Sequence, residues 1–433
     1  MSKFKKVKLG DIFTLEKGSL QSSKCTPGEY DFITAATEWK THESYSHDCE
    51  AIVYAVAASG SLGRVHYVNG KFIASDLCFI MQEKDKEKYP INFQFYQIIF
   101  EVLRDEIVSK TKTGTSKESI SQKNLSNYEI PYFDYDFQIA NYEQLVDAKK
   151  KVSKLLKESA SQKEYAKQLR QNILQDAIEG KLTTGWRKSH PVIKGNPDYD
   201  AEALFEKILK EKDSDKKQKK LPPIIDEEKP FEIPKGWRWI YMGDIYSFSN
   251  GTASRGTDKG VFYPVLRLAD LSEGFINLEE VRQLKLLESE FNSHRVFYDD
   301  LIFIRVNGSK ERVGTAFLFT GNSPVSYCDH LFCGHKHSSI ISSRFTMLEF
   351  NCNFTREQIV PLIKTTTGQN TINQGNMSII KIPLPPLAEQ TEIIQKVETQ
   401  IAKIDQLEIQ IQDRETYTKQ LMQSILKNVF EEE

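Results

Sequence analysis

One long stretch limits what this chain can fold into more than any other feature of its sequence. Residues 138–182 contain no proline, and their one glycine, Gly180, lies close to the end. Apolar residues recur in this stretch at steps of three and four, at Tyr142, Leu145, Val152, Leu156, Ala166, Leu169, Ile173 and Ala177. The spacing predicts one apolar face on a helix about 65 Å long, since each residue adds about 1.5 Å. Such a helix needs a partner along its length.

A candidate partner lies in the last part of the chain. Residues 387–429 carry a similar apolar spacing, at Ile393, Val397, Ile401, Ile404, Ile411, Leu421 and Ile425. A period near 3.5 residues is typical of helices that pack along one seam. We therefore predict two long helices that pack together and hold two globular domains apart.

Composition and charge narrow the class of protein. The chain has 433 residues, of which 39% are hydrophobic and 27% are charged, and its formal net charge is −2. A DNA-binding protein of this charge needs a local basic surface, because no global positive field attracts nucleic acid. The six cysteines lack the spacing of a disulfide framework, and no run approaches the ~18 apolar residues of a membrane span. These features predict a reduced, cytoplasmic protein of two or three domains that does not enter a membrane.

Short β-rich runs separated by turns indicate an α/β or α+β fold outside the long helices. In the first part of the chain, strand candidates fall at 9–18, 51–60, 64–68 and 77–81, and an amphipathic helix is predicted at 92–109. In the second part, strand candidates fall at 239–251, 262–271, 301–309 and 315–321, and a short helix at 353–364. Residues 183–235 are rich in proline, glycine and charge, which predicts a linker with a short helix that starts at Ala201.

The chain contains an internal repeat. LGDIFTLEKG aligns with MGDIYSFSNG, and the polar segment after Gly114 aligns with the one after Gly368. The paired residues are Gly10 with Gly243, Asp11 with Asp244, Gly18 with Gly251, Asn124 with Asn376, Pro131 with Pro383 and Gln138 with Gln390. The order is therefore domain, long helix, domain, long helix. Because the interiors of the two domains do not repeat, one frame is predicted to read two different things.

Several segments together resemble a known family. These are LPPLAEQTEIIQKVE at 384–398, LRQNILQDAIEGKLTTGWR at 169–187, PFEIPKGWRW at 230–239 and TTTGQNTINQGNMSIIKIPLP at 365–385. The sequence is similar to the specificity subunits of Type I restriction–modification systems over essentially its whole length. The first half departs from this pattern, since IPYFDYDFQIANYEQL shares only the proline and the glutamine of the PPLAEQ segment.

The resemblance implies an α/β (α+β) fold with two similar target-recognition domains, 1–137 and 236–384. Two long antiparallel coiled-coil helices, 138–182 and 385–433, would separate them, and 183–235 would be the linker. It implies an asymmetric bipartite site on double-stranded DNA as the target. The implied protein partners are two methyltransferase (modification) subunits and restriction/translocase subunits. Those partners would use S-adenosylmethionine, ATP and Mg²⁺, and this chain would hold no cofactor.

Motifs for catalysis are missing from the sequence. The Asn-Pro at 196–197 is followed by Asp rather than by Pro and an aromatic residue, and no P-loop pattern occurs. A nuclease-like pattern can be assembled only from Pro197-Asp198 and 215–217, inside the predicted linker. We therefore expect no catalytic residue. An enzyme with a cryptic site and a coiled-coil adaptor that binds only protein remain the alternatives.

A group of cysteines and histidines in the second half is a weaker candidate. Cys328, His330, Cys333, His335 and His337 form Cys-x4-Cys-x-His-x-His, which does not match common zinc spacings. Ordinary strand and loop positions, a zinc site and DNA contact by a histidine are the three interpretations. We expect the first of these and no metal.

Candidate DNA contacts are polar and basic residues in loops near the repeated segments. Lys and Arg bind phosphates, whereas Asn, Gln and Arg are suited to base edges. The first-domain candidates are Ser59, Ser61, Arg64, Lys110, Lys112, Thr113, Thr115, Ser116 and Lys117. The second-domain candidates are Asn250, Thr252, Ser254, Arg255, Arg305, Asn307, Lys310, Arg312, Gln369, Asn370 and Asn373. Gly10, Gly18, Gly243 and Gly251 are expected to form turns rather than contacts.

The first long helix is also basic. Its cations are Lys149, Lys150, Lys151, Lys154, Lys157, Lys163, Lys167 and Arg170. They form either a solvated face or a surface that follows the DNA backbone between two half-sites. The second helix ends in three glutamates at 431–433, so it is expected to pair with the first helix or to face protein.

Overall fold

The computed structural model describes residues 4–57, 60–114, 118–212, 221–272 and 274–431. The chain divides into two compact units. Unit 1 consists of Met1–Gln162 and Gln410–Glu433, and unit 2 consists of Lys163–Ile409. Among the described helices, none combines the length and the apolar character that are needed to cross a membrane.

Unit 1 is built on a six-stranded sheet with helices on one side. The strands of unit 1, including those outside this sheet, are β1 Phe4–Lys8, β2 Phe13–Lys17, β3 Tyr30–Ile33, β4 Lys40–His42, β5 His47–Ala55, β6 Val65–Ala74, β7 Cys78–Glu83, β8 Lys112–Thr113, β9 Ser119–Ile120 and β10 Glu129–Phe133. Its helices are α1 Leu9–Ile12, α2 Phe93–Val102, α3 Arg104–Thr111, α4 Gln122–Asn127 and the start of α5 Tyr135–Ile178. The sheet order is β2-β7-β5-β6-β3-β4.

The central strand β5 shows why this sheet has two buried faces. Successive side chains of a strand point to opposite faces. Ile52 and Tyr54 accordingly lie in the core that contains α2, while Val53 and Ala55 lie in a separate core on the other face. The predicted helix at 92–109 forms, but as two helices that break at Leu103.

Unit 2 carries several small sheets. Its strands are β11 Arg238–Tyr241, β12 Tyr246–Asn250, β13 Val261–Leu266, β14 Leu271–Ser272, β15 Phe275–Ile276, β16 Gln283–Leu286, β17 Leu301–Ile304, β18 Val306–Asn307, β19 Ala316–Leu318, β20 Ser326–Tyr327, β21 Leu331–Lys336, β22 Lys364–Thr366, β23 Gln369–Thr371 and β24 Lys381–Leu384. Its helices are α6 Thr184–Ser189, α7 Ala201–Lys212, α8 Met242–Ile245, α9 Glu288–Ser293, α10 Ser343–Phe350, α11 Asn353–Ile359, α12 Gln374–Ser378 and the first part of α13 Leu387–Glu431, which ends in unit 1.

The sheet β12-β21-β17-β19 is the centre of unit 2. Leu301 and Phe303 of β17 face one core, and Ile302 and Ile304 face another, as in β5 of unit 1. The segment predicted as a linker contributes to the first of these cores. Its helix α7 buries Ala201, Leu204, Phe205 and Ile208, because their spacing forms one apolar face. The charged residues 213–220 lie outside the described residues.

The repeated residues form the same frame in both units. Strand β1 pairs antiparallel with β10, and β11 pairs in the same way with β24. The amide of Asn124 donates to the Thr111 carbonyl, and that of Asn376 donates to the Leu362 carbonyl. At the start of each long helix, the side chain of Gln138 or Gln390 donates to a backbone oxygen five residues earlier.

Contrary to the expectation from sequence, the repeated glycines do not form turns. A Cβ atom at Gly18 would lie 2.1 Å from the Ser75 oxygen, and one at Gly251 would lie 2.2 Å from the Cys328 oxygen. Both glycines allow close approach of two backbones, which explains why the residue type repeats. Gly10 and Gly243 lie in the one-turn helices α1 and α8, which interrupt the strands predicted at 9–18 and 239–251.

The bounds of the two long helices, α5 and α13, lie within four residues of the predicted ones, and the helices pack along a narrow seam. Buried residues occur at seven-residue steps, at Leu145, Val152, Ser159, Ala166 and Ile173 in α5 and at Val397, Ile404, Ile411 and Thr418 in α13. Within unit 2 the helices are antiparallel, since Arg170 contacts Asp405 and Lys396 contacts the Leu182 carbonyl. The prediction that Leu169 and Leu421 lie in the seam is wrong.

Leu169 and Leu421 are 47% and 46% exposed. Each lies three positions after a buried seam residue, Ala166 or Thr418. A single partner helix covers only a narrow strip, so a side chain about 60° away around the helix stays outside the contact.

Candidate nucleic-acid interface

In unit 1, an arginine holds the loop that follows β5. The Arg104 Nε atom donates to the Leu62 carbonyl at 2.7 Å, and its Nη2 atom donates to the Gly60 carbonyl at 3.2 Å. Gly63 closes the loop with a φ of 73° and a hydrogen bond to the Ala55 carbonyl. Arg64 turns back and donates to the Ala35 carbonyl and to Ser61 Oγ, so part of its hydrogen-bonding capacity is already used.

A small hairpin lies next to this loop. Lys110 pairs with Glu106 at 2.7 Å, and Lys112 pairs with Glu118 at 2.6 Å. Thr113 donates to the Ser119 carbonyl, and the hairpin is joined to the end of β5 by a hydrogen bond from Ile120 to Val56. The predicted residues Ser59, Thr115, Ser116 and Lys117 lie outside the described residues.

Unit 2 holds the corresponding loop with the same device. Arg356 donates to the carbonyls of Val313 and Lys310, the latter at 2.8 Å. Gly314 has a φ of 84° and donates to the Ile304 carbonyl. An arginine from a helix therefore fixes the loop after the central strand in both units. The loops themselves differ, since GSL precedes Gly63 and KERV precedes Gly314.

Two of the predicted segments of unit 2 meet at Asp329, and a third is paired with one of them. The Arg305 Nη1 atom donates to the Asp329 carbonyl at 2.8 Å, and the Arg255 Nη2 atom lies 3.4 Å from its carboxylate. Burial opposes the charge of this carboxylate, but the hydrogen bond and the charge of Arg255 outweigh it and lower the pKa of Asp329. Asn307 in β18 is paired with Asn370 in β23, which brings the third segment to the same place.

The predicted residues of unit 2 differ in how far they can reach a ligand. Asn250, Arg255, Lys310, Arg312, Gln369 and Asn373 are exposed, and Ser254, Arg305 and Asn307 are half-buried. Thr252 and Asn370 are only 2% and 5% exposed. Thr252 bonds to Glu290, and the Asn370 amide bonds to Thr365 and to the Gly308 carbonyl. These two side chains form internal hydrogen bonds that stabilise the loops, so they do not face a ligand.

Four of the basic residues of α5 form ion pairs with acids. Lys149, Lys151 and Lys154 pair with Glu101, Asp147 and Glu158. Arg170 contacts both Asp405 and Glu408 of α13, which is the pairing between a basic and an acidic helix that the sequence left open. The pKa of Arg170 is raised, since the hydrogen bonds and charges of these two acids outweigh its partial burial.

An exposed apolar pair occurs twice on the long helices and was missed by sequence reasoning. Tyr165 and Leu169 in α5 are 66% and 47% exposed, and Tyr417 and Leu421 in α13 are 68% and 46% exposed. The two pairs lie in YAKQLRQNIL and YTKQLMQSIL, which are 252 positions apart, the same offset as Gln138 and Gln390. Extending the repeat into the helices would have revealed them. The recurrence of one exposed Tyr–Leu pair at the repeat offset, rather than the exposure of a single apolar residue, is what favours a protein-binding role for these pairs.

The cysteine and histidine group of the second half does not come together as a whole. Cys333 and His335 lie close to Asp300, whereas Cys328 and His330 flank Asp329. His337 bonds to the Asp244 carbonyl. Burial raises the pKa of the Cys333 thiol well above its ordinary value, and Asp300 adds to this shift.

Comparison with known proteins follows the same division of the chain. The Type I restriction modification DNA specificity domain matches residues 1–145 and 234–414. The Type I restriction enzyme StySPI specificity subunit of Salmonella potsdam is 30% identical over 266 residues, which are 61% of this chain and 48% of that protein. The EcoDI specificity subunit of Escherichia coli is 25% identical over an alignment 452 positions long, which covers 99% of this chain and 88% of that protein.

The fold has a solved counterpart. A chain from a structure that describes complex assembly and conformational transition of the type I R-M system covers 99% of this chain and 97% of its own length, with a TM-score of 0.60 and 13% identity. The chain spans about half the length of several curated relatives that it matches.

Two α/β domains on one repeated frame, each leading into a long helix, define a class of internally duplicated proteins with two divergent loop surfaces. The matched residues extend over both halves of that duplication and most of the chain. The chain belongs to the family of the Type I restriction modification DNA specificity domain.

Proposed function

We propose that this chain is the DNA-binding specificity subunit of a Type I restriction–modification complex and recognises an asymmetric bipartite DNA sequence. One observation carries the proposal: the same frame holds two loops of different sequence, GSL before Gly63 and KERV before Gly314. A repeated frame with different loops suits a target whose two halves differ. An adaptor that binds only protein has no need for this difference.

The recognition chemistry follows from the exposed side chains of unit 2. Lys310 and Arg312 are cations on a loop that Arg356 fixes, and such residues bind phosphate oxygens. Gln369 and Asn307 carry amides in the adjoining sheet, a group that can bond to the edge of adenine. Phosphate contacts would set the position of the domain, and the amides would contribute to the choice of sequence.

The chemistry on DNA belongs to partner subunits in this proposal. Two methyltransferase subunits and the restriction/translocase subunits would bind to the chain and would use S-adenosylmethionine, ATP and Mg²⁺. The chain itself would contribute recognition without catalysis. The repeated Tyr165–Leu169 and Tyr417–Leu421 pairs support this assignment, because two equivalent surfaces fit two copies of one partner.

Genome-wide methylation mapping tests the proposal. A host that supplies the methyltransferase is compared with and without this chain, and we expect a bipartite methylated motif only when the chain is present. In a second strain, residues 13–120 are replaced by the same region of another family member, with β1, α1 and β10 kept. One half of the motif should then change and the other half should remain. A change in both halves, or methylation without sequence preference, would contradict the recognition of each half of the motif by a separate domain.

The length of the long helices should set the length of DNA between the two half-sites. Deleting 158–164 together with 410–416 removes about 10 Å of helix, which corresponds to about three base pairs. Because the buried seam repeats every seven residues, the same helix faces should remain paired. We expect methylation mapping to show a spacer shortened by about three base pairs or a loss of binding. Deletion of 158–164 alone is the control and should unfold the pair of long helices. An unchanged spacer in the double deletion would show that helix length does not set the distance between the half-sites.

A further inference from the structure

Three potential metal ligands share one face of the central sheet of unit 2. Cys333 and His335 alternate on β21, so both point to the same face. Asp300 immediately precedes β17, whose Leu301 is paired with Gly334. This register places Asp300 beside His335 and two positions from Cys333, on the same face of the sheet. The Cys333 side chain is fully buried, Asp300 is 5% exposed, and one side of His335 is open to solvent.

The distances among the three ligand atoms fit a single small ion. Asp300 Oδ2 lies 3.6 Å from Cys333 Sγ and 3.0 Å from His335 Nδ1, and Sγ lies 3.7 Å from Nδ1. Tetrahedral zinc with bonds of about 2.0–2.3 Å to oxygen, nitrogen and sulfur separates such atoms by roughly 3.4–3.6 Å. Two of the observed distances agree closely, and the third requires a small opening of the Asp300–His335 pair.

The surroundings orient each ligand. The Nε2 atom of His335 lies 3.2 Å from Ser249 Oγ, so Nδ1 faces the cluster while the other ring nitrogen is held. A hydrogen bond at the second nitrogen is the usual companion of a metal-binding histidine. The Phe297 amide donates to Asp300 Oδ2 at 2.8 Å. The preceding residue, Asp299, has a φ of 70°, a conformation that non-glycine residues rarely adopt and that turns Asp300 inward.

We infer that Asp300, Cys333 and His335 form a site for one zinc ion, with a water molecule in the fourth position on the open side of His335. A thiolate, an imidazole and a carboxylate are the ligand types that zinc combines. The ion would join β21 to β17, and its ligand Cys333 lies four residues after Asp329, which Arg255 and Arg305 contact. In unit 1 the corresponding positions on β7 are Ile80 and Gln82, so the site belongs to the second domain alone.

Metal content of the full chain tests this inference independently of DNA binding. The chain is produced with added zinc, freed of loosely bound metal by a weak chelator and gel filtration, and analysed by mass spectrometry for zinc. We expect about one zinc per chain, and less than a fifth of that in D300N or H335Q. The matched controls C328S and H330Q alter the neighbouring cysteine and histidine and should keep the zinc.

Cobalt provides a second measurement, which in the unaltered chain does not depend on the folding of any variant. Cobalt added to the metal-free full chain should produce a thiolate-to-cobalt absorption band, which C328S retains and C333S loses. Absence of both zinc and the cobalt band from the unaltered chain would show that the three residues form only a hydrogen-bonded cluster. Equal zinc in D300N, H335Q and the controls would show adventitious binding.

Discussion

Replacing Glu389 with alanine lowers the free energy of unfolding of unit 2 by about 3–5 kcal/mol, the typical cost of breaking a buried ion pair. Glu389 lies in the first turn of α13 and is 2% exposed. Its Oε1 atom accepts from Arg187 at 2.5 Å and from Thr183 at 2.6 Å, and its Oε2 atom accepts from the Trp237 indole at 2.7 Å. Alanine leaves the half-buried Arg187, the buried Thr183 and the Trp237 indole without this acceptor.

Urea unfolding of the full chain, followed by tryptophan fluorescence, measures this effect, since Trp237 itself contacts Glu389. Glu392→Ala is the matched control on the same helix. Glu392 pairs with Lys396 four residues later at the surface, and such pairs contribute only about 0.3–0.5 kcal/mol. Equal midpoints for the two variants would show that the Glu389 contacts do not stabilise the junction between the connecting segment and α13.

If two methyltransferase subunits bind as proposed, replacing Tyr417 and Leu421 with alanine should remove one of them. Each side chain is exposed in the chain alone, and truncation of a buried aromatic anchor in an interface often costs 2 kcal/mol or more, about 30-fold in affinity. The equivalent change at Tyr165 and Leu169 should remove the other subunit. The combined variant should bind neither, while specific contacts with DNA by the two loop surfaces persist.

Analytical ultracentrifugation or mass photometry of the mixed subunits gives the stoichiometry directly. Gln168 and Gln420 are a matched control, because they are also repeated and exposed on the same helix turns. Their replacement by alanine should leave two methyltransferase subunits bound. An unchanged stoichiometry in the combined Tyr–Leu variant would place the partner surface elsewhere on the chain.

The Tyr–Leu variants and the exchange of residues 13–120 together distinguish the proposed subunit from a pure adaptor. A protein-binding adaptor would also lose its partner in the Tyr–Leu variants, since those side chains lie outside the loop surfaces. It would not change a methylated sequence when residues 13–120 are exchanged. The pair of experiments therefore assigns docking to the helices and recognition to the loops, or shows that one of these functions is missing.

The repeat could be predicted from sequence because its residues are local requirements of the frame. Gly18 and Gly251 are needed where two backbones approach too closely for a Cβ atom. Gln138 and Gln390 bond to a backbone oxygen five residues earlier in the chain. Because both halves share one backbone frame, these requirements leave the same residue at the same position in each half.

The loop surfaces could be predicted only in part. Lys310, Arg312 and Gln369 are exposed as a DNA contact requires, but Thr252 and Asn370 are buried in internal hydrogen bonds. Residue type alone does not distinguish a polar side chain that binds a ligand from one that satisfies buried backbone groups.

The sequence by itself determined the two long helices, the duplicated frame and the presence of two different loop regions. A helical period and a repeat offset are properties of neighbouring residues, so they can be read without knowing the fold. Only the tertiary structure decided that Leu169 and Leu421 face outward, that Arg255 and Arg305 meet at Asp329, and that Asp300 joins Cys333 and His335. Each of these depends on strands and helices that are far apart in the chain, and on which face of an element its neighbour covers.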